Sequence, residues 1–188
     1  MTTATTATTE SPESTESPES TASTTPAIPT FTVHAIPPDL LGKVRSTGLD
    51  VSGNPIEFRV AGGGEPLRCC LREAAPAEPI ILFGYEPPLP TSPYREIGPV
   101  FTHAAPCPGP TTDAYPPHWR NRAQIFRAYD ADGRIHPTSR AHDGGSPEET
   151  LTTILADPEI AQIHIRNITY GCFMFVVTRP TTLATTPA

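Results

Sequence analysis

Proline occupies 25 of the 188 positions, and this abundance constrains the fold more than any other feature of the sequence. A proline ring fixes φ and removes a backbone donor, so proline is tolerated at turns, strand ends and helix starts but not inside long helices. We therefore expect loops, short strands and short helices. The length of the chain fits one domain with additional residues for a tail.

The first thirty residues differ in composition from the rest of the chain. Residues 1–30 consist almost entirely of Thr, Ser, Pro, Ala and Glu, and the hexapeptide ESPEST occurs at 10–15 and again at 16–21. Such a segment has too little apolar surface to offset the entropy lost on ordering. We expect a disordered N-terminal arm over 1–30, one ordered domain over 31–180 and a frayed tail over 181–188.

Short apolar runs separated by turn residues indicate strands. They occur at 31–36, 56–62, 78–86, 97–104, 124–137, 161–167 and 171–178. The run at 124–137 is predicted to be a hairpin around Asp132-Gly133, because glycine supplies the positive φ that a type I′ turn needs. Several short strands of this kind favour an α+β domain with a mainly antiparallel sheet.

Two segments carry helix signals. The sequence PPDLLGKVRSTG at 37–48 offers Asp39 as an N-cap. The sequence SPEETLTTILADP at 146–158 begins with Ser146 as an N-cap and has Glu149 three residues later, which is the pattern of a capping box. The sequence thus predicts one or two short helices in the α+β domain.

The last two predicted strands are joined near the sequence NITYG and should form a hairpin. If Arg166 lies opposite Cys172, then Ile165 faces Phe173, and alternate positions of both strands form a wholly apolar face. His164 then lies on the second, less apolar face with Arg166. We predict this register, because a slip of one residue would mix the two faces.

Charge and hydropathy exclude several classes of partner. The formal net charge of −7 argues against nonspecific nucleic-acid binding. No apolar run is long enough to span a bilayer, so we expect no membrane association. The first residues, MTTATTATTE, have neither the basic nor the apolar region of a secretory signal. We therefore expect a cytoplasmic protein whose four cysteines are reduced thiols.

Four blocks of the sequence resemble a known family. The blocks are PLRCCLREA (66–74), SPYREIGPVFTHA (92–104), RAYDADGRI (127–135) and HIRNITYGCF (164–173). In this order they resemble the bacterial domain family of unknown function DUF1203, over most of the region from 31 to 180. The resemblance implies a stand-alone bacterial domain. It implies no activity, because it brings no established catalytic or binding residues.

The cysteines and histidines raise the question of a metal site. Structural zinc sites usually carry pairs of ligands two to four residues apart, and the sequence has no Cys-x-x-Cys. The adjacent Cys69 and Cys70 would point to opposite faces if they lay on a strand. We therefore expect no metal site and no cofactor.

A thiol enzyme is an alternative, because a cysteine with a nearby base is the minimum for nucleophilic catalysis. The candidates are Cys172, Cys69, His164 and His103. A free cysteine more often serves as a small buried hydrophobic residue. The sequence also lacks a Gly-rich phosphate loop, a G-x-S-x-G elbow and an H-E-x-x-H motif.

Arginine dominates the positive charge, because Lys43 is the only lysine. The planar guanidinium suits carboxylate or phosphate. The predicted ligand-binding residues lie in predicted strands or in the four blocks, and they are Arg68, Tyr94, Arg95, Arg127, Tyr129, Arg166, Asn167 and Tyr170. The alternative is that the arginines pair internally with Glu96, Asp130 or Asp132.

Three function classes follow from these residues. We expect a small cytosolic domain that binds an anionic ligand through a strand-borne cluster of Arg, Tyr and His. One alternative is an enzyme that uses a cysteine or histidine beside those arginines. The other is a structural or protein-interaction module without a ligand. The convergence of the arginines on a pocket, or their pairing with carboxylates, discriminates between these classes.

Overall fold

The computed structural model of the chain describes residues 1–3 and 31–180. Most of the predicted arm and the whole of the predicted tail at 181–188 lie outside the described residues. Within these described residues there are two helices, α1 (Pro38–Thr47) and α2 (Pro147–Leu155), and a 3-10 turn covers Pro117–Trp119. No helix in the described part of the chain is long and apolar enough to cross a membrane.

Ten strands lie in the described part of the chain, so the α+β class is confirmed. They are β1 (Thr32–His34), β2 (Glu57–Val60), β3 (Pro66–Leu67), β4 (Arg72–Glu73), β5 (Pro79–Tyr85), β6 (Gly98–His103), β7 (Gln124–Asp130), β8 (Arg140–His142), β9 (Ile160–Asn167) and β10 (Phe173–Thr178). The sequence did not predict β3, β4 and β8, because two or three residues are too few to show a period.

The strands form two five-stranded sheets. The first sheet has the order β1-β10-β9-β7-β8 and is antiparallel throughout. The second has the order β2-β5-β6-β3-β4, and its β3–β6 pair is parallel while its other pairs are antiparallel. The predominance of antiparallel pairs agrees with the prediction from short, turn-separated strands.

Two apolar clusters form the core. In the first, residues of α2 such as Leu151 join residues of the first sheet and Trp119. In the second, α1 and the second sheet join Phe173 and Val176, which come from β10 of the first sheet. Strand β10 therefore contributes to both clusters, and all its residues from Phe173 to Val177 are buried. On the predicted less apolar face of the final hairpin, His164 and Arg166 are buried and Cys172 is partly exposed.

The predicted register of the final hairpin is wrong. Arg166 pairs with Phe173 and Ile165 pairs with Phe175, so the strands are displaced from the prediction by one residue and then by two. The pairing shifts between Phe173 and Phe175, where Met174 is the additional residue of a β-bulge. Because Met174 and Phe175 then join the same core cluster, strict alternation of faces does not hold here.

The turn after β7 also differs from its prediction. Gly133 has the expected positive φ of 71°, but Asp132 has a negative φ, so the type I′ assignment is wrong. The Gly133 N–H donates to the Asp130 carbonyl at 3.1 Å, which places Asp132 inside the turn and Gly133 after it. The Asp130 carboxylate accepts the N–H groups of Asp132 and Arg134, and this side-chain bonding favours the observed turn.

The helix starts were placed well, but their capping was not. The N-cap of α1 is Pro37, and Asp39 lies in the first turn. The N-cap of α2 is Ser146 as predicted, yet its side chain makes no capping hydrogen bond, so the capping box with Glu149 is wrong. Ser146 has a φ of 45°, whereas a side-chain cap requires an extended N-cap residue.

Candidate functional site

Three cysteines and one histidine meet at one place, which we name the Cys–His cluster: Cys69, Cys70, His103 and Cys107. One ligating atom from each residue lies within 4.8 Å of the other three. The Sγ atom of Cys69 is 3.9 Å from Cys70 Sγ and 3.3 Å from His103 Nδ1. The cluster thus offers the donor atoms of a four-ligand metal site.

The local backbone explains how adjacent cysteines reach the same place. We expected Cys69 and Cys70 on a strand, with side chains on opposite faces. Instead, residues 68–71 form the turn between β3 and β4, and the Leu71 N–H donates to the Leu67 carbonyl at 2.9 Å. Alternation of side chains is a property of strands. The geometric premise of our argument against a metal is therefore wrong for this pair.

Glu78 and Arg72 hold His103 from the side opposite the thiols. His103 Nε2 lies 2.7 Å from Glu78 Oε1, and Arg72 binds both oxygens of that carboxylate at 2.5 and 3.0 Å. Arg72 Nη2 also lies 2.8 Å from His103 Nε2. The Arg72 guanidinium and the backbone N–H of Ala75 lower the pKa of Glu78 to about 2. One ring nitrogen of His103 thus faces sulfur and the other faces a carboxylate.

A second feature is a cleft of about 570 Å³ beside the loop of the final hairpin, which we name the Arg68 cleft. Its lining includes three predicted ligand-binding residues, Arg68, Asn167 and Tyr170, together with the candidate nucleophile Cys172. Sequence analysis had not selected the other polar or aromatic lining residues, which include Glu65, Glu73, Phe101, Trp119, Arg122 and Gln124.

Arg68 is 2% exposed and is fixed by backbone carbonyl groups. Its Nε donates to the Phe173 carbonyl at 2.9 Å, and its Nη1 donates to the Pro66 carbonyl at 2.5 Å. Within the described residues, no carboxylate lies within ion-pair distance of Arg68, and its Nη2 has no acceptor. Burial lowers the pKa of Arg68 to about 10, so the group remains a cation at neutral pH.

Two further donors line the cleft. Gln124 accepts the Tyr115 hydroxyl through Oε1, and its Nε2 has no acceptor in the described part of the chain. Trp119 Nε1 is buried and has no hydrogen-bond partner among the described residues. The cleft thus has N–H groups without acceptors at Arg68 and Gln124, which suits an acceptor-rich ligand, whereas the indole N–H of Trp119 is covered by protein.

The two carboxylates of the cleft are already engaged. Glu65 accepts the backbone N–H groups of Gly62 and Gly63 at 2.8 and 2.9 Å. Glu73 forms an ion pair with Arg122, whose side chain is more than half exposed. These contacts leave Arg68 as the buried cation of the cleft without a carboxylate partner among residues 1–3 and 31–180.

The three other arginines that we predicted to bind a ligand are paired with carboxylates. Arg127 and Arg166 both bind Glu96, and Arg127 Nη1 lies 2.9 Å from its Oε1. Arg95 binds Glu86 at 2.5 Å. None of the three arginines lines the Arg68 cleft. These three arginines therefore pair internally, as the alternative interpretation expected. Their partners are Glu96, as expected, and Glu86, but not Asp130 or Asp132.

A family model described as "Protein of unknown function (DUF1203)" matches residues 64–179. The chain belongs to the DUF1203 family. No curated protein and no solved structure matches the chain significantly. The DUF1203 match contains Arg68 and the whole Cys–His cluster, whereas β1, α1 and β2 precede it.

The remaining predicted site residues of the DUF1203 domain lie away from the cleft lining. Tyr94 is 41% exposed, in the loop between β5 and β6. Tyr129 and His164 are fully buried, with ring centroids 4.6 Å apart. Neither the Tyr129 hydroxyl nor a ring nitrogen of His164 has a hydrogen-bond partner among the described residues. The Arg, Tyr and His residues that we expected to form one strand-borne cluster thus lie in several separate environments.

His164 should make the DUF1203 domain sensitive to acid. Burial lowers its pKa from 6.5 to about 4; the nearby Pro88 carbonyl opposes this shift, and the Arg127 charge adds a smaller lowering effect. The unfolded chain therefore takes up the proton first. The contribution of neutral His164 to the free energy of unfolding is fully present above pH 6.5. It is lost as the pH falls from 6.5 to 4, and the loss is about 2 kcal/mol at pH 5.

This pH dependence is measured by urea unfolding at pH 7 and pH 5. His164→Phe keeps a ring against Tyr129 and Phe173 and should remove most of the loss. The exposed His118, replaced by Gln, serves as the control and should leave the loss unchanged. An equal loss in wild type and His164→Phe would assign the acid sensitivity to other groups.

Sequence reasoning missed several residues of both sites. Gln124 and Trp119 could not be selected from the sequence, because an isolated amide or indole side chain belongs to a binding site only if its neighbours in the fold make it one. The Cys–His cluster did leave a signal. His103 and Cys107 are four residues apart, a separation found in zinc-ligand pairs, and Cys69-Cys70 supplies a second pair.

Proposed function

We propose that this domain is a cytoplasmic binding module for a small anionic ligand, held in the Arg68 cleft. The observation that carries the proposal is the environment of Arg68. Its guanidinium is 2% exposed, is held by two carbonyl groups and has no carboxylate partner among the described residues. A buried cation without a counter-ion is unfavourable, so an anion in the cleft would supply the missing charge.

The lining indicates the class of ligand. The Nη2 of Arg68 and the Nε2 of Gln124 have no acceptor among the described residues, and both are donors, which favours a carboxylate or phosphate over a cation or an apolar molecule. The cleft of about 570 Å³ lies within the usual range of small-molecule sites. Phe101 and Leu82 add apolar surface for the rest of the ligand.

An enzyme that uses Cys172 is the second candidate, because this half-buried thiol lines the same cleft as Arg68. The cleft lining contains no histidine, and the contact of Cys172 Sγ is the Tyr170 carbonyl at 3.9 Å. Arg68 could stabilise a thiolate in this cleft, but a thiol nucleophile also needs a general base, and no histidine among the described lining residues supplies one. Binding is therefore the function that the cleft supports best.

Anion binding is tested by thermal unfolding at constant ionic strength, with inorganic phosphate or succinate as the probe and chloride as the reference. A ligand at ten times its Kd should raise the midpoint of the wild-type chain by about 3–5 °C. Arg68→Met should abolish this shift. Arg95→Met is the matched control, because Arg95 is exposed and lies outside the cleft, and it should keep the full shift.

A second variant covers the case in which Arg68→Met does not fold. Gln124→Glu keeps an oxygen acceptor for Tyr115 and nearly the same volume, but adds a negative charge to the cleft. It should weaken phosphate binding at least about tenfold, the equivalent of one charge-assisted hydrogen bond. Equal shifts in wild type and Gln124→Glu, or no shift with either probe, would contradict the proposed function.

A further inference from the structure

We propose that the Cys–His cluster binds one zinc ion in a closed, tetrahedral, structural site. The ligands are Cys69 and Cys70 from the β3–β4 turn, His103 at the end of β6 and Cys107 in the loop that follows. This site shares no residue with the Arg68 cleft and does not rest on the proposed function. Three thiols and an imidazole are a donor set that zinc prefers, and four protein ligands complete its coordination in structural sites.

The spacing of the donor atoms fits this ion. Zinc–sulfur bonds of about 2.3 Å and zinc–nitrogen bonds of about 2.0–2.1 Å place tetrahedral ligands roughly 3.6–3.8 Å apart. Cys69 Sγ and Cys70 Sγ are 3.9 Å apart, and they lie 3.3 and 3.8 Å from His103 Nδ1. Shifts of a few tenths of an ångström therefore bring these three atoms to tetrahedral spacing. The four donor atoms all lie within 4.8 Å of one another, so Cys107 Sγ needs to move by at most about 1 Å to complete the tetrahedron.

The groups behind the ligands also fit a metal site. In zinc proteins the histidine nitrogen that does not bind the ion commonly donates to a carboxylate, which fixes the ring. His103 Nε2 has this partner in Glu78 at 2.7 Å, and Arg72 fixes the carboxylate in turn. The backbone N–H of His103 donates to Cys69 Sγ at 3.4 Å, a contact that stabilises a thiolate.

The position of the cluster would give the proposed ion a structural role. Residues 104–116 have no regular secondary structure and carry several prolines between β6 and the 3-10 turn. With Cys107 and His103 as ligands, the ion would fasten the start of this loop to the turn at 68–71. The loop also leads to Tyr115 and Trp119, which are buried in the first core cluster.

Apolar packing alone does not explain the convergence. Free cysteines in cores behave as small hydrophobic residues and have no reason to gather around an imidazole. In this cluster only Cys69 is fully buried, and Cys70, His103 and Cys107 are partly exposed. The partial exposure provides a path by which an ion reaches the ligands.

The experiment uses the full chain, purified under reducing conditions, stripped with a chelator and titrated with cobalt(II) as a spectroscopic substitute for zinc. The wild type should bind one equivalent, with sulfur-to-cobalt charge-transfer bands and the intense visible bands of tetrahedral cobalt, and zinc should displace it. Cys107→Ser should weaken binding more than about 100-fold, because loss of a ligand exceeds the cost of losing an outer partner. Cys172→Ser is the matched control and should bind as the wild type does, because Cys172 lies outside the cluster.

Two further measurements keep the test decisive. Glu78→Gln should keep a stoichiometry of one but weaken zinc affinity about 10–100-fold. Native mass spectrometry of the wild type counts bound zinc without any variant, so a Cys107→Ser chain that fails to fold leaves the test intact. No metal bound by the reduced wild type, or equal affinity in wild type and Cys107→Ser, would overturn the proposal.

Discussion

Replacing Gly144 with alanine is expected to lower the melting midpoint by about 10 °C, the equivalent of roughly 3 kcal/mol in a domain of this size. Gly144 has a φ of 103°, which side chains disfavour. A Cβ atom there would also lie 2.6 Å from the Asn121 carbonyl carbon and 2.7 Å from the Arg122 oxygen. These are backbone atoms, so no side-chain rotation relieves the clash.

Gly171→Ala is the control for this prediction. Gly171 also has a positive φ, of 68°, but a Cβ atom there has no neighbour within 4 Å among the described residues. The change should therefore cost only the left-handed backbone penalty of about 1 kcal/mol. Both variants are compared by differential scanning calorimetry. Equal midpoints for the two would show that the close approach of residues 121–122 to Gly144 is not maintained in solution.

Removing the carboxylate of Glu96 is expected to cost about 2–4 kcal/mol, because it leaves the buried Arg166 without its counter-ion. The Arg166 side chain is 5% exposed, whereas that of Glu96 is 42% exposed, so water can partly replace the lost group. Glu96 also binds Arg127 at 2.9 Å. Glu96→Gln retains the shape of the side chain and should lower the melting midpoint by roughly 6–12 °C.

The matched control is Glu86→Gln, which removes the carboxylate partner of Arg95. This arginine is 44% exposed, and ion pairs on the surface add little to stability. Its replacement should leave the melting midpoint within experimental error. A small effect of Glu96→Gln, similar to that of Glu86→Gln, would mean that water or another group already compensates Arg166.

The fold could be predicted from the sequence wherever apolar runs were long enough to show a period. Strands β5, β6 and β9 and helix α2 were all expected close to their observed bounds. The register of the final hairpin could not be predicted, because the bulge at Met174 adds a residue without leaving a signal in composition. The division into two sheets depends on contacts between distant segments, which a single sequence does not display.

The candidate sites were predictable in part. Arg68, Asn167 and Tyr170 were selected for their chemistry, and they line one cleft. Arg95, Arg127 and Arg166 were selected by the same rule, but carboxylates bind them. A guanidinium beside a ligand and a guanidinium in an ion pair look alike in a sequence, so only the position of the carboxylates separates them.

The turn at 68–71 connects the two proposed sites. Arg68 lines the anion cleft, and the next two residues, Cys69 and Cys70, belong to the Cys–His cluster. A strand would direct these two cysteines to opposite faces, whereas the turn, which has a positive φ at Leu71, brings their Sγ atoms to 3.9 Å from each other. The conformation of this turn therefore determines where Arg68 and both cysteines are placed.

Nuclear magnetic resonance of the arginine guanidinium groups tests anion binding at Arg68 most directly. The isotope-labelled full chain is titrated with inorganic phosphate at constant ionic strength, and the Arg68 signal is assigned by its absence in Arg68→Met. The predicted result is a saturable shift of the Arg68 Nε–H signal, with little change at the exposed Arg95. An unchanged Arg68 signal at phosphate concentrations that shift exposed arginines would contradict the proposed function.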